Sequence, residues 1–245
     1  MKEEIININD VSFAYSKQDV VKNITLTIHK GEFVGLIGPN GSGKTTLLKI
    51  MLGLLEPNKG SVKLFDKPIK KFKDWSKIGY VPQKATNIDK NFPATVQEIV
   101  LMGLLSTKKI PKIITQKDNQ KIQNALELTN ITNLSKARIT DLSGGQQQRA
   151  LIAKALVSNP LIILLDEPTT GVDQKTQENF YKLLAKLNKK GITIVLVTHD
   201  IGRITRNVTK VASINQKLTF FGNHKEFCAK DKNHPHEHTL CIHGE

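Results

Sequence analysis

Gly38-Pro39-Asn40-Gly41-Ser42-Gly43-Lys44-Thr45 is the stretch of this chain with the most definite chemistry. It fits the phosphate-loop pattern G-x-x-x-x-G-K-[ST], and it stands after the apolar run Phe33 to Ile37 and before the helix-like run Thr46 to Leu55. Gly38, Gly41 and Gly43 let the backbone curl so that several N–H groups point inward, and the following helix presents its positive end. An anionic triphosphate fits such a cradle. In this pattern the Lys44 ammonium reaches the β and γ oxygens, the Thr45 hydroxyl ligates Mg2+, and Thr46 carries the loop into the helix. A second chemical pair, Asp166-Glu167, follows the apolar run Leu161 to Leu165. Asp166 suits Mg2+, held directly or through water, and Glu167 suits orienting and deprotonating an attacking water. The plainer readings are a glycine-rich turn that binds nothing and a surface Asp-Glu turn. The apolar strands leading into both stretches weigh against them.

The elements around these residues must deliver them to one edge. From Ile5 to Ile28 the pattern is strand-like, with Ile24, Leu26 and Ile28 alternating with Thr25 and Thr27. Glu56 to Gly60 reads as a helix stop and turn, Ser61 to Phe65 as a strand, and Ile78 to Val81 as a short strand ended by Pro82-Gln83. Residues 84 to about 141 look like a helical insertion, with a capping box at Thr95-Val96-Gln97-Glu98 and a helix from Gln116 to Leu128 packing through Ile122, Ala125 and Leu126. Leu142-Ser143-Gly144-Gly145-Gln146 then opens a helix that Asn159-Pro160 ends, and Ser143 with Gln146 forms another capping box. Leu161 to Leu165 and Thr193 to Thr198 read as buried parallel strands, the second ending at His199. Between them Phe180, Leu183, Leu184 and Leu187 recur at helical spacing before Gly191. Strand and helix alternating in this way indicate a mostly parallel α/β sheet with its ligand beyond the carboxyl edge.

With the phosphate loop, Gln83, Leu142 to Gln146, Asp166-Glu167, Asp173 and His199 in this order, residues 5 to 222 resemble the ABC-transporter ATPase family. The resemblance implies a P-loop NTPase core, residues 1–83 and 142–222, with a mostly parallel sheet, an antiparallel β subdomain and an inserted helical subdomain at 84–141. Residues 223–245 stand apart as a His-rich C-terminal tail. It also implies ATP and Mg2+, and a head-to-tail dimer of two copies in which the phosphate loop of one and the signature Ser143, Gly144, Gly145 and Gln146 of the other clamp one ATP. Tyr15 stands where the family's adenine-stacking aromatic does, with a core strand tyrosine as the alternative. Gln83 matches the glutamine that contacts Mg2+ and the water, and His199 the histidine at the γ-phosphate. The loop Thr170-Gly171-Val172-Asp173 keeps the family's aspartate but departs from the commoner Ser-Ala-Leu-Asp wording.

Composition bounds the rest. The 245 residues hold 36 Lys+Arg against 22 Asp+Glu, a net +14 that suits an anionic partner such as a nucleotide, a nucleic acid or an acidic membrane surface. No apolar run approaches the ~20 residues of a spanning helix, no secretory signal is expected, and Cys228 and Cys241 are too few for a disulfide framework. These suit a reducing cytosol, and the resemblance implies the cytoplasmic face of a membrane, with separate permease subunits as partners and an extracellular metal-binding protein serving the same system indirectly. Asn91 to Gly103 is similar to the helical-domain entry of zinc and manganese importer ATPases, so zinc uptake is the expectation, with manganese, iron or an iron chelate as alternatives. The tail residues His234, His236, His238, Cys241 and His243 form a cluster that either gathers Zn2+ or is a solvated extension without function. A soluble ABC ATPase acting on nucleic acid or the ribosome is the rival reading. The modest size of residues 84–141 argues against it, so no nucleic-acid partner is expected.

Overall fold

The computed structural model describes residues 3–83, 89, 92–105, 113–168, 173–199 and 208–231. The chain's contacts group into two units, residues 1–73 with 193–245 and residues 74–192.

In the first unit β1 (Glu4–Tyr15) and β2 (Gln18–His29) pair antiparallel, and β4 (Lys59–Leu64) and β5 (Lys67–Pro68) extend them into a sheet of order β2-β1-β4-β5. The alternation of β2 is what sets its faces: Ile24, Leu26 and Ile28 are buried, while Thr25 and Thr27 are not. A second set of strands carries the chemistry. β3 (Phe33–Ile37) lies parallel to both β8 (Thr193–Val197) and β9 (Lys210–Asn215), and β10 (Lys217–Asn223) returns antiparallel to β9. Every residue of β3 and β8 is buried, as their almost wholly apolar sequences require when both faces are covered. Helix α1 (Lys44–Met51) follows β3. It stops earlier than the apolar run to Leu55 suggests, because Gly53 takes φ 66° and the Leu54 N–H returns to the Lys49 carbonyl at 2.9 Å.

In the second unit β6 (Ile78–Val81) and β7 (Ile162–Asp166) run parallel, Tyr80 opposite Leu164 and Val81 opposite Leu165. Among the described residues four α-helices belong with them: α2 (Val96–Leu105), α3 (Gln116–Leu128), α4 (Gly144–Leu156) and α5 (Gln174–Lys189). The capping box at Thr95 is formed, since the Thr95 N–H donates to Glu98 at 2.7 Å and the Glu98 N–H to the Thr95 hydroxyl at 3.3 Å. Helix α3 buries Ile122, Ala125 and Leu126. Close approach of backbones fixes α4: a Cβ on Gly79 would stand 2.7 Å from the Ala155 carbonyl oxygen, and one on Gly103 only 2.1 Å from that of Lys154. Gly103→Ala is therefore expected to push α2 off α4 and lower stability by about 1–3 kcal/mol, the usual penalty of an overpacked contact. A thermal unfolding curve superimposing on the parent's would contradict this.

The C-terminal stretch begins as structure. Residues His224–Asp231 form α6, whose buried Phe227 packs against Phe220 of β10 at a centroid separation of 5.3 Å.

Candidate functional site

Three groups of side chains are assembled, each within one of the two units. The first is the loop after β3. Gly38, Gly41 and Gly43 adopt φ 148°, 76° and 98°, conformations that L side chains rarely take. Space forbids a side chain at two of them as well, since a Cβ on Gly38 would lie 2.0 Å from the Ile214 carbonyl oxygen and one on Gly43 2.6 Å from that of Val20. The loop is tied down from outside by the Gln216 N–H, which donates to the Ser42 carbonyl at 2.9 Å. Lys44 is 4% exposed, and its Nζ donates to the carbonyls of Gly38 and Pro39 at 2.9 and 2.8 Å. Pro39, Asn40 and Gly41 are exposed, Thr45 is half-buried and Thr46 buried.

This geometry fits an anion. Among the described residues helix α1 has no side-chain cap and no acidic residue in its first turn, so its N-terminal N–H groups face a place suited to phosphate oxygens. The buried Ser42 hydroxyl has no hydrogen-bond partner among those residues. His199 shares this edge: it follows β8, whose Val197 lies opposite Leu36, and the neighbouring Thr198 N–H donates to the Leu36 carbonyl at 3.2 Å. Tyr15 ends β1 with 49% of its surface exposed and its ring edge-to-face on Phe13 at 4.8 Å, so it is not a core tyrosine. An exposed aromatic of this kind offers a stacking face.

The second group stands at the end of β7. Asp166 is 2% exposed, and Glu167 turns off the strand with φ 41°, a left-handed conformation costly for a residue with a side chain. Gln83 Nε2 donates to Glu167 Oε2 at 2.9 Å, so two residues that lie 84 positions apart in the chain touch. Tyr80 lies beside this edge. Burial, and secondarily the negative charge of Asp166, push its phenol above the ordinary range, so at neutral pH it stays protonated.

The third group is the start of α4. Ser143 caps the helix, accepting from the Gln146 N–H at 3.4 Å while its own N–H donates to Gln146 Oε1 at 2.9 Å. Ser143 and Gly144 are exposed. A Cβ on Gly145 would meet Thr176 Cγ2 at 2.4 Å. The same Thr176 donates its N–H to Asp173 Oδ1 at 3.0 Å, so Asp173 caps α5 next to the signature. Hydrogen bonds from Thr176, its side chain first and then its backbone, hold the Asp173 carboxyl below its usual range. Stabilisation from this cap is present above the ordinary carboxylate pKa and is lost as pH falls through the lowered one. Ser143, Gly145, Gln146, Arg149, Thr176 and Asn179 line a polar hollow of about 290 Å3.

Thr176, Tyr80 and Gln148 are absent from a motif-based reading. For Gln148 the available signal is a polar residue on the buried face of α4, in helical register with Ile152 and Ala155. The tail residues His234, His236, His238, Cys241 and His243 lie outside the described residues. Among the described residues no group of three or more His, Cys, Asp or Glu is placed to hold a metal ion, and no helix is long and apolar enough to cross a membrane.

The sequence profile of the ABC transporter family matches residues 21–170. The chain belongs to the ABC transporter family. It is 46% identical over 226 residues to the zinc uptake system ATP-binding protein ZurA of Listeria monocytogenes, covering 92% of this chain and 88% of that protein. It is 38% identical over 227 residues to the manganese transport system ATP-binding protein MntB of Listeria innocua, covering 93% of each. Among solved structures it is similar to cbiO1 from Clostridium perfringens, part of the ABC transporter complex cbiONQ, with a TM-score of 0.83, 31% identity and 94% and 92% of the two chains covered. As an ABC transporter ATP-binding chain it uses ATP and Mg2+, and the uncapped start of α1 with the Ser42 hydroxyl fits the phosphates of that substrate.

Proposed function

We propose that this chain is the ATP-hydrolysing subunit of an importer that carries zinc through a separate membrane permease, from the cytoplasmic face of the cell membrane. The observation that carries the reading is the pairing of a phosphate-binding edge with an exposed, capped signature in a chain 46% identical, over 92% of its length, to a zinc uptake ATP-binding protein. Manganese, iron or an iron chelate are the alternative cargoes. An extracellular metal-binding protein delivers the metal to the permease.

Lys44, with the N–H groups of Gly41, Ser42, Gly43 and Lys44, neutralises the β and γ phosphates, and Tyr15 stacks on the base. Thr45, Asp166 and Gln83 are the residues that would serve Mg2+, which would supply charge neutralisation at the phosphate oxygens. Glu167 takes the proton of the attacking water as its oxygen bonds to the γ phosphorus and the bridge to the β-phosphate breaks, releasing ADP. His199 hydrogen-bonds the γ-phosphate. Ser143, Gly144, Gly145 and Gln146 of a second copy close over the same phosphates, with Asp173 lining that contact. Two copies thus hold two ATP molecules.

Isolation from membranes is expected to bring a multi-span permease with the chain, whereas ribosomal proteins or nucleic acid in its place would overturn the assignment. The tail supplies the finer test. His234, His236, His238, Cys241 and His243 gather cytosolic Zn2+ and damp transport when occupied. Removal of residues 232–245 is expected to abolish inhibition of ATPase and uptake by micromolar zinc. Equal activity of intact and shortened chains with and without zinc would remove this role.

A further inference from the structure

The turn that carries Glu167 is held from two directions. Its side chain accepts from Gln83. Its backbone is held by α4, the helix that Ser143 caps: Gln148, 2% exposed, donates Nε2 to the Pro168 carbonyl at 2.5 Å. Pro168 is itself buried. A buried primary amide is retained only where it has a partner, and a buried carbonyl deprived of its donor is left unsatisfied. Glu167 sits at φ 41°, a conformation that persists only where the surroundings impose it.

We propose that Gln148 is a positioning residue for Glu167, joining the signature helix to the turn that presents the catalytic carboxylate. Ser143 and Gln148 are five residues apart on α4, about 7.5 Å along a rigid helix, so a displacement of the helix start is carried to Pro168. This rests on the head-to-tail reading above, in which Ser143 of a chain engages one ATP while Glu167 of the same chain acts on the other. Gln148 is then the local link by which closure over one nucleotide sets the base at its neighbour.

The test is a double-mutant cycle on the full chain, read as single-turnover phosphate release alongside steady-state kinetics. Gln148→Met keeps the volume and removes the donor. It is expected to lower kcat about ten- to a hundredfold and the melting temperature by a few degrees, because the Pro168 carbonyl loses its donor, while leaving KM for ATP near the parent's. In a Glu167→Gln background the same substitution is expected to cause no further loss, because Gln148 acts through Glu167. Gln148→Asn, which keeps an amide but withdraws it by one methylene, runs alongside and is expected to fall between parent and Gln148→Met. An equal loss in both backgrounds, or a parent-like kcat for Gln148→Met, would overturn the proposal. If Glu167→Gln alone turned over normally, the assignment of the base itself would be at fault, so the two failures are distinguishable.

Discussion

Alanine in place of Lys44 is expected to abolish cargo uptake and to weaken ATP binding, without loss of the fold. Lys44 is 4% exposed, and its ammonium rests on the carbonyls of Gly38 and Pro39. An arriving γ-phosphate offers this ammonium charge-assisted hydrogen bonds, the strong kind. Truncating one partner of such a buried pair typically costs about 2–5 kcal/mol, roughly thirtyfold or more in affinity. Titration with ATP, thermal unfolding and metal uptake by cells carrying only the variant check the three parts. Uptake at the parent rate would end the transport reading.

Much of this site is legible in the residues, for a physical reason that also explains the gaps. Phe33 to Ile37, Leu161 to Leu165 and Thr193 to Val197 are almost wholly apolar because strands buried on both faces leave little room for a polar position, and each run leads to a chemical residue. The boxes at Thr95 and Ser143 are local in sequence and form as spacing dictates. Contacts between distant residues leave no such mark. The Gln148 amide finds its acceptor 20 positions on, and Gln83 meets Glu167 across β6 and β7. Neither pairing is encoded in a period or a motif. The hairpin β9–β10 and the helix α6 escape for another reason. Leu218, Phe220 and Phe221 are only partly covered, and the His-Lys-Glu-Phe-Cys-Ala-Lys-Asp composition of residues 224–231 looks like polar tail until Phe227 docks on Phe220.

Glutamine in place of Glu167 is the second substitution with a large expected effect, and it separates geometry from chemistry. The exchange is nearly isosteric. The amide oxygen that replaces the carboxylate still accepts from Gln83 Nε2, so the contact now seen at 2.9 Å survives, and so does the turn at φ 41°. Lys44, Ser42 and the helix start are untouched, and ATP binding is expected at parental affinity. What disappears is a group able to take a proton, since an amide has no basicity near neutral pH. General-base catalysis typically contributes about 10²–10⁴-fold, and turnover is expected to fall by that factor. With binding intact and hydrolysis stalled, two copies that close over ATP cannot reopen by converting it to ADP. The variant is therefore expected to elute as a dimer with ATP and Mg2+ present and as a monomer without them, while steady-state phosphate release is nearly lost. Hydrolysis close to the parental rate would show that the water is activated by some other group. Loss of hydrolysis without the ATP-dependent dimer would instead leave Glu167 as the base and remove the sandwich.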